Sequence, residues 1–131
     1  MIKNFEKITV ELTPIELEYV EFLGQWFMAN KGKENTVKNS DIIKLIKTAF
    51  DKKITEPRVR KVVQFLRTNG FPGLIATSNG YFYTNDIDEI QSWITSLKQR
   101  EAAIRVIREK AEREVEILNF SKYARKQMEI F

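Results

Sequence analysis

TEPRVRKVVQFLRTNG, Thr55 to Gly70, places Val59, Val62, Val63 and Leu66 at i, i+3, i+4 and i+7, the spacing of one apolar helix face. Thr55 stands at the N-cap position, Pro57 falls in the first turn and Gly70 ends the pattern. Glu56, Arg58, Arg60, Lys61, Gln64 and Arg67 lie off the apolar stripe. Just upstream, Ile42, Ile43, Leu45, Ile46, Ala49 and Phe50 predict a second amphipathic helix, capped by Ser40-Asp41 and ending near Asp51, with Lys44, Lys47 and Lys52 on its other side. Two helices joined by so short a connection have the dimensions of a helix-turn-helix.

Downstream, Leu74 to Thr77 and Tyr81 to Thr84 are β-prone runs, and Asn79-Gly80 supplies the positive φ angles of a type I′ hairpin. With Asn79-Gly80 as the turn, Thr77 faces Phe82 and Ala76 faces Tyr83. Leu74, Ala76, Tyr81 and Tyr83 then share one face and Ile75, Thr77, Phe82 and Thr84 the other. The alternation leaves open which is inward, and the first is preferred. Upstream, Thr13-Pro14-Ile15-Glu16 is a capping box for a first helix carrying Leu17, Val20, Leu23, Phe27 and Met28, with Tyr19, Phe22 and Trp26 beside them. Before it, Ile8, Val10 and Leu12 alternate with polar residues as in a short strand. Asn30 to Asn39 reads as a polar loop.

Asp86 and Glu89 cap a last helix, in which Ile87, Ile90, Ile94, Leu97, Ile104, Ala111, Val115 and Leu118 keep a 3,4 spacing broken only at Glu101 and Arg108. The pattern predicts a helix of about 33 residues. A domain this small cannot cover that length, so Ile94, Leu97, Ile104, Ala111, Val115 and Leu118 are expected to meet a second copy. A helix broken and folded back on its own domain is the alternative. Asn119 to Phe131 reads as a docking segment or a frayed tail. The expected organisation is a winged helix-turn-helix over 1–85 in the order β-α-α-α-β-β-α, mostly α with a small β-hairpin. A long helix over 86–118 and a tail over 119–131 follow.

Composition narrows the function classes. The chain of 131 residues has no cysteine, which removes disulfides and zinc fingers, and no histidine, the commonest general base and metal ligand near neutral pH. No run of signal-peptide or membrane-span character occurs, and a cytoplasmic location is expected. Residues 38–84 carry nine basic and three acidic side chains, against a net charge of +4 for the whole chain. Asp86, Asp88 and Glu89 are explained by helix capping rather than a metal. Tyr81 and Tyr83 have no neighbouring base to activate them, and the five glycines match no nucleotide motif. Binding, not catalysis, is expected, with no cofactor and no metal.

The runs at 55–72, 78–83 (SNGYFY) and 86–100 (DIDEIQSWITSLKQR) together resemble small winged-helix proteins encoded by bacteriophages and prophages. Those proteins have a Val-Arg helix start, a Leu-Arg middle, a Gly-aromatic-Pro exit, a Gly-Tyr wing and a Ser-Leu-x-x-Arg helix. The resemblance spans residues 55–100, and Gly73 and Leu74 depart from it where an apolar residue would follow Pro72 directly. It implies DNA binding in phage replication or gene control.

In that reading Glu56, Arg58, Lys61 and Gln64 approach the major groove, with Thr55 and Arg60 at its border. Arg58 would take guanine, Gln64 adenine and Glu56 cytosine. Lys38, Lys44, Lys52, Lys53 and Arg67 would neutralise phosphates. The tip, Ser78-Asn79-Gly80, has no long basic arm and could reach a phosphate only through Ser78, Asn79 and backbone N–H groups. The bland reading is that these charges are the solvated faces of amphipathic helices. The expected function is a phage-type or mobile-element DNA-binding protein of replication initiation or transcription, partnered by double-stranded DNA and by a second copy through its last helix. The alternative is a protein-interaction module of a replication or regulatory complex.

Overall fold

The computed structural model describes residues 12–130. The strand expected at Ile8 to Leu12 lies, apart from Leu12, outside the described residues. The fold is mostly helical, with one small antiparallel hairpin and a long C-terminal helix. Its elements are α1 (Pro14–Ala29), a short 3-10 turn (Lys33–Asn35), α2 (Asn39–Phe50), α3 (Glu56–Asn69), β1 (Leu74–Thr77), β2 (Gly80–Tyr83) and α4 (Ile87–Ile130). They fall into two units, 1–90 and 91–131.

Helix α1 begins as its sequence dictates. Thr13 Oγ1 accepts from the Glu16 N–H at 3.3 Å while Glu16 Oε1 accepts from the Thr13 N–H at 2.9 Å. Tyr19, Leu23 and Phe27 form its buried face, whereas Leu17 and Met28, expected on that face, are exposed. They lie off the row Tyr19, Leu23, Phe27, which the i, i+4 geometry turns inward: Met28 follows Phe27 by one residue, about 100° round the helix, and Leu17 precedes Tyr19 by two, about 200°. Helix α2 is capped two residues earlier than the expected cap at Ser40. Lys38 is its N-cap, and Asp41 accepts from the Lys38 N–H at 2.9 Å, so Ser40 lies inside the helix. The helix ends at Asp51, whose left-handed φ of 54° turns the chain towards α3.

Ile42 and Ile46 of α2 and Val59, Val62, Val63 and Leu66 of α3 join Leu12, Leu23, Phe27, Val37 and Leu74 in one core. Fully burying an aliphatic side chain contributes about 1.5 to 3 kcal/mol, so these residues dominate the unit's stability. Phe50 meets the edges of Tyr19 and Phe22, with ring centroids 4.9 and 5.5 Å away.

The hairpin corrects the expected turn. Thr77 pairs with Gly80, Ala76 with Tyr81, Ile75 with Phe82 and Leu74 with Tyr83, so Ser78-Asn79 makes the turn. Gly80 keeps its positive φ, 128°, as the first residue of β2. The reason lies beside it: a Cβ at Gly80 would stand 2.3 Å from the Val37 carbonyl oxygen. Val37 and Tyr81 exchange two backbone hydrogen bonds, of 2.9 and 2.7 Å, and Gly32 N–H donates to the Tyr83 carbonyl at 2.9 Å. The segment read as a polar loop therefore seals the edge of β2. Sliding the turn by one residue moves each pairing by two, so the two face sets are unchanged. Both faces are buried in part. Leu74 enters the core with Tyr81 and Tyr83 packed against it, while Ile75 and Phe82 are buried on the other side.

Asp86 Oδ1 accepts from the Asp88 and Glu89 N–H groups at 2.8 and 3.4 Å, the cap expected from the sequence. Helix α4 then runs for 44 residues, about 66 Å. It is longer than the expected 86–118 because Asn119 to Ile130 continues it rather than forming a tail. No glycine or proline interrupts it. Ile94, Leu97, Ile104, Val115 and Leu118 are exposed along it.

Candidate nucleic-acid interface

The buried row Val59, Val62, Val63 and Leu66 fixes the rotation of α3, and that rotation decides which polar residues reach solvent. Pro57, Arg60, Lys61, Gln64 and Thr68 form the exposed face. At its leading end Glu56 accepts from Arg60 Nη2 at 3.0 Å and from Asn39 Nδ2 at 3.3 Å. Arg60, placed at the border by sequence, thus sits on the presented face with Lys61 and Gln64.

Two residues of the expected set turn elsewhere. Arg58, expected to take a guanine, reaches back to α1: its Nε donates to Glu16 Oε2 at 2.7 Å and its Nη2 to Glu16 Oε1, a bidentate pair. Glu16 is buried. The Arg58 hydrogen bond lowers its pKa from the ordinary glutamate value despite the opposing effect of burial, and the Thr13 N–H adds to the lowering. Arg67, expected on a phosphate, donates its Nε–H to the Leu74 carbonyl at 3.2 Å and ties α3 to β1. Both arginines are only partly exposed, and the geometry gives them to the frame rather than to a ligand.

A cleft of about 500 Å³ opens where the N-terminal ends of α2 and α3 face the hairpin. Lys38, Asn39, Ser40, Glu56, Ser78 and Tyr81 are among its lining residues. It brings together three residues expected from sequence, Lys38, Glu56 and Ser78, from three separate segments. Lys44 is not among them. It lines a second cleft of about 680 Å³, together with Glu34 and Asp41, on the side of α2 that faces α1. Lys52, Lys53 and Thr55 are exposed in the connection between α2 and α3, and Asn79 is exposed at the hairpin turn.

Asn39 was missed by the sequence reading. Its Oδ1 is buried with no hydrogen-bond partner, although its Nδ2 is bonded to Glu56. It stood in a stretch read as loop, and only the observed start of α2 at Asn39 places it beside α3. Tyr81, on the strand face preferred as inward, packs against the core and also lines the cleft.

Among the described residues no helix is long and apolar enough to cross a membrane. Comparison with models of protein families, with curated proteins and with solved structures finds no match for this chain.

Proposed function

We propose that the chain is a winged helix-turn-helix protein that binds double-stranded DNA through α3. In this reading α2 and α3 are the helix-turn-helix, the hairpin is the wing, and Val37 supplies the short strand that winged folds add to it. The observation that carries the proposal is the presented face of α3, where Arg60, Lys61 and Gln64 stand opposite four buried aliphatic residues. Such a helix can enter a major groove with its apolar face still covered. Gln64 suits a bidentate contact to adenine and Arg60 one to guanine, while Glu56 can accept a single hydrogen bond from the cytosine amino group. Lys38, Lys52, Lys53, Ser78 and Asn79 suit the phosphates on either side. The chain acts in the cytoplasm as a homodimer through α4, in replication initiation or transcriptional control of a phage or mobile element.

The test is titration of duplex DNA at two salt concentrations. Binding should weaken with salt by about 0.9 log units per log unit for each phosphate neutralised. Arg60→Ala with Lys61→Ala should weaken binding at least tenfold and flatten the salt dependence. Equal binding by both proteins, or none by the wild type, sinks the proposal.

One observation favours a protein partner instead. An apolar cavity of about 290 Å³ lies between α1 and α3, lined by Val20, Gly24, Met28, Phe65 and Phe71. If that surface is the working one, the wild type shows no duplex binding in the titration and Met28→Glu abolishes binding of the partner protein.

A further inference from the structure

Helix α4 carries a row of apolar residues left exposed among the described residues: Ile94 is 43% exposed, Leu97 39%, Ile104 65%, Val115 57% and Leu118 59%. Two charges, Glu101 and Arg108, interrupt the row, and Lys98, Arg100, Arg105, Glu112 and Glu114 flank it. Flanking and interrupting charges decide how two such helices can pair.

In a parallel, in-register pair each residue of the row meets its own copy. Glu101 then faces Glu101 and Arg108 faces Arg108 inside the seam. The flanking positions bring Arg100 against Arg105 of the second copy on both sides. Every charged contact of that arrangement is between like charges.

We infer that α4 pairs with α4 of a second copy in the antiparallel sense, with Ile94 against Leu118 and Leu97 against Val115. In this register Glu101 comes within one helical turn of Arg108 of the second copy. Arg100 faces Glu114 and Lys98 faces Glu112, and symmetry makes each of these contacts twice. The one like-charge contact is Arg105 against its own copy at the two-fold axis. The seam keeps Ala111 opposite Glu101, where a small side chain leaves room for the longer one. Shallow left-handed supercoiling keeps the row in contact, since a straight helix drifts by about 20° per heptad. The two copies of Ile90 lie about 48 Å apart along the axis.

The second copy as partner rests on the homodimer of the proposed function, whereas the orientation has its own readout. The chain has no cysteine, so an introduced one reports alone. The full-length Ile94→Cys, Leu118→Cys protein is oxidised and its tryptic peptides are mapped. These two positions are 36 Å apart along one helix, at about 1.5 Å per residue, and cannot link within a copy. The expected link joins residue 94 to residue 118. Links of 94 to 94 and 118 to 118 overturn the orientation. A second measurement requires no bond: a spin label on Ser92→Cys should report a separation of about 42 Å, whereas a parallel pair holds it within about two helix diameters, 20 to 25 Å. A monomer by light scattering overturns the dimer and the orientation together, and leaves DNA binding by α3 to its own titration.

Discussion

Glu16 and Arg58 lie 42 positions apart in sequence and form one side-chain unit. Glu16 caps α1 and also receives the Arg58 fork, so its carboxylate has partners on both sides and stays ionised despite its burial. Arg58→Ala is expected to reduce stability by about 1.5 to 3 kcal/mol, the range for hydrogen bonds to charged groups. DNA affinity measured below the unfolding transition should change far less than for Arg60→Ala with Lys61→Ala. A large loss of affinity in a fully folded Arg58→Ala protein would return Arg58 to the groove. The pH dependence has a definite sign. The Glu16 pKa is lowered on folding, so its contribution is full at neutral pH and is lost as pH falls through the carboxylate range towards the lowered folded value. Urea midpoints should fall with acid in the wild type and fall less steeply in Glu16→Gln, which has no carboxylate to protonate there.

At the scale of elements, the hairpin and the Gly32 to Val37 segment stand or fall together. Gly80 serves the turn through its positive φ and serves the edge by admitting the Val37 carbonyl. Gly80→Ala should destabilise by about 1 to 3 kcal/mol from backbone strain alone, and more from the close approach. Amide exchange at Val37 and Tyr81, which donate to each other's carbonyls, should accelerate in that variant beyond the global change. Unaltered protection at these two amides would mean the bridge is dispensable. The turn also bears on the proposed contact with DNA. Ser78 and Asn79 sit at its apex, where Thr77 Oγ1 accepts from the Asn79 N–H at 3.1 Å.

At the scale of the whole molecule, the two units divide the work. Among the described residues, those up to Ile90 hold the core and the presented face of α3, and those from Gln91 onward hold an exposed apolar row. Ile104→Glu with Leu118→Glu should give a monomeric mass in light scattering while the thermal unfolding of the core is retained. Avidity for a two-site duplex should fall with it, because linked heads gain from effective concentration only while joined. A dimeric mass in that variant would place self-association elsewhere. Val106, Ile117 and Phe120 are also exposed; they lie away from the row and stay uncovered in a two-stranded pair.

Local sequence pattern was enough to locate the elements. The capping box at Thr13, the aliphatic spacing from Val59 to Leu66, the Asn-Gly hairpin and the cap at Asp86 all rest on contacts within a few residues, which local pattern encodes. It also marked the basic centre of the chain and the 3,4 row on α4. Which charges of that centre reach solvent depends on packing between distant segments. Arg58, Arg60, Lys61 and Arg67 look alike as letters off an apolar stripe, but neighbours distant in sequence separate them: Glu16 takes Arg58 and the Leu74 carbonyl takes Arg67. Likewise the turn moved from Asn79-Gly80 to Ser78-Asn79, with Gly80 beside the carbonyl of Val37, 43 positions upstream. Periodicity reports which way a side chain points along its own helix or strand; what waits there is set by segments the local pattern does not contain.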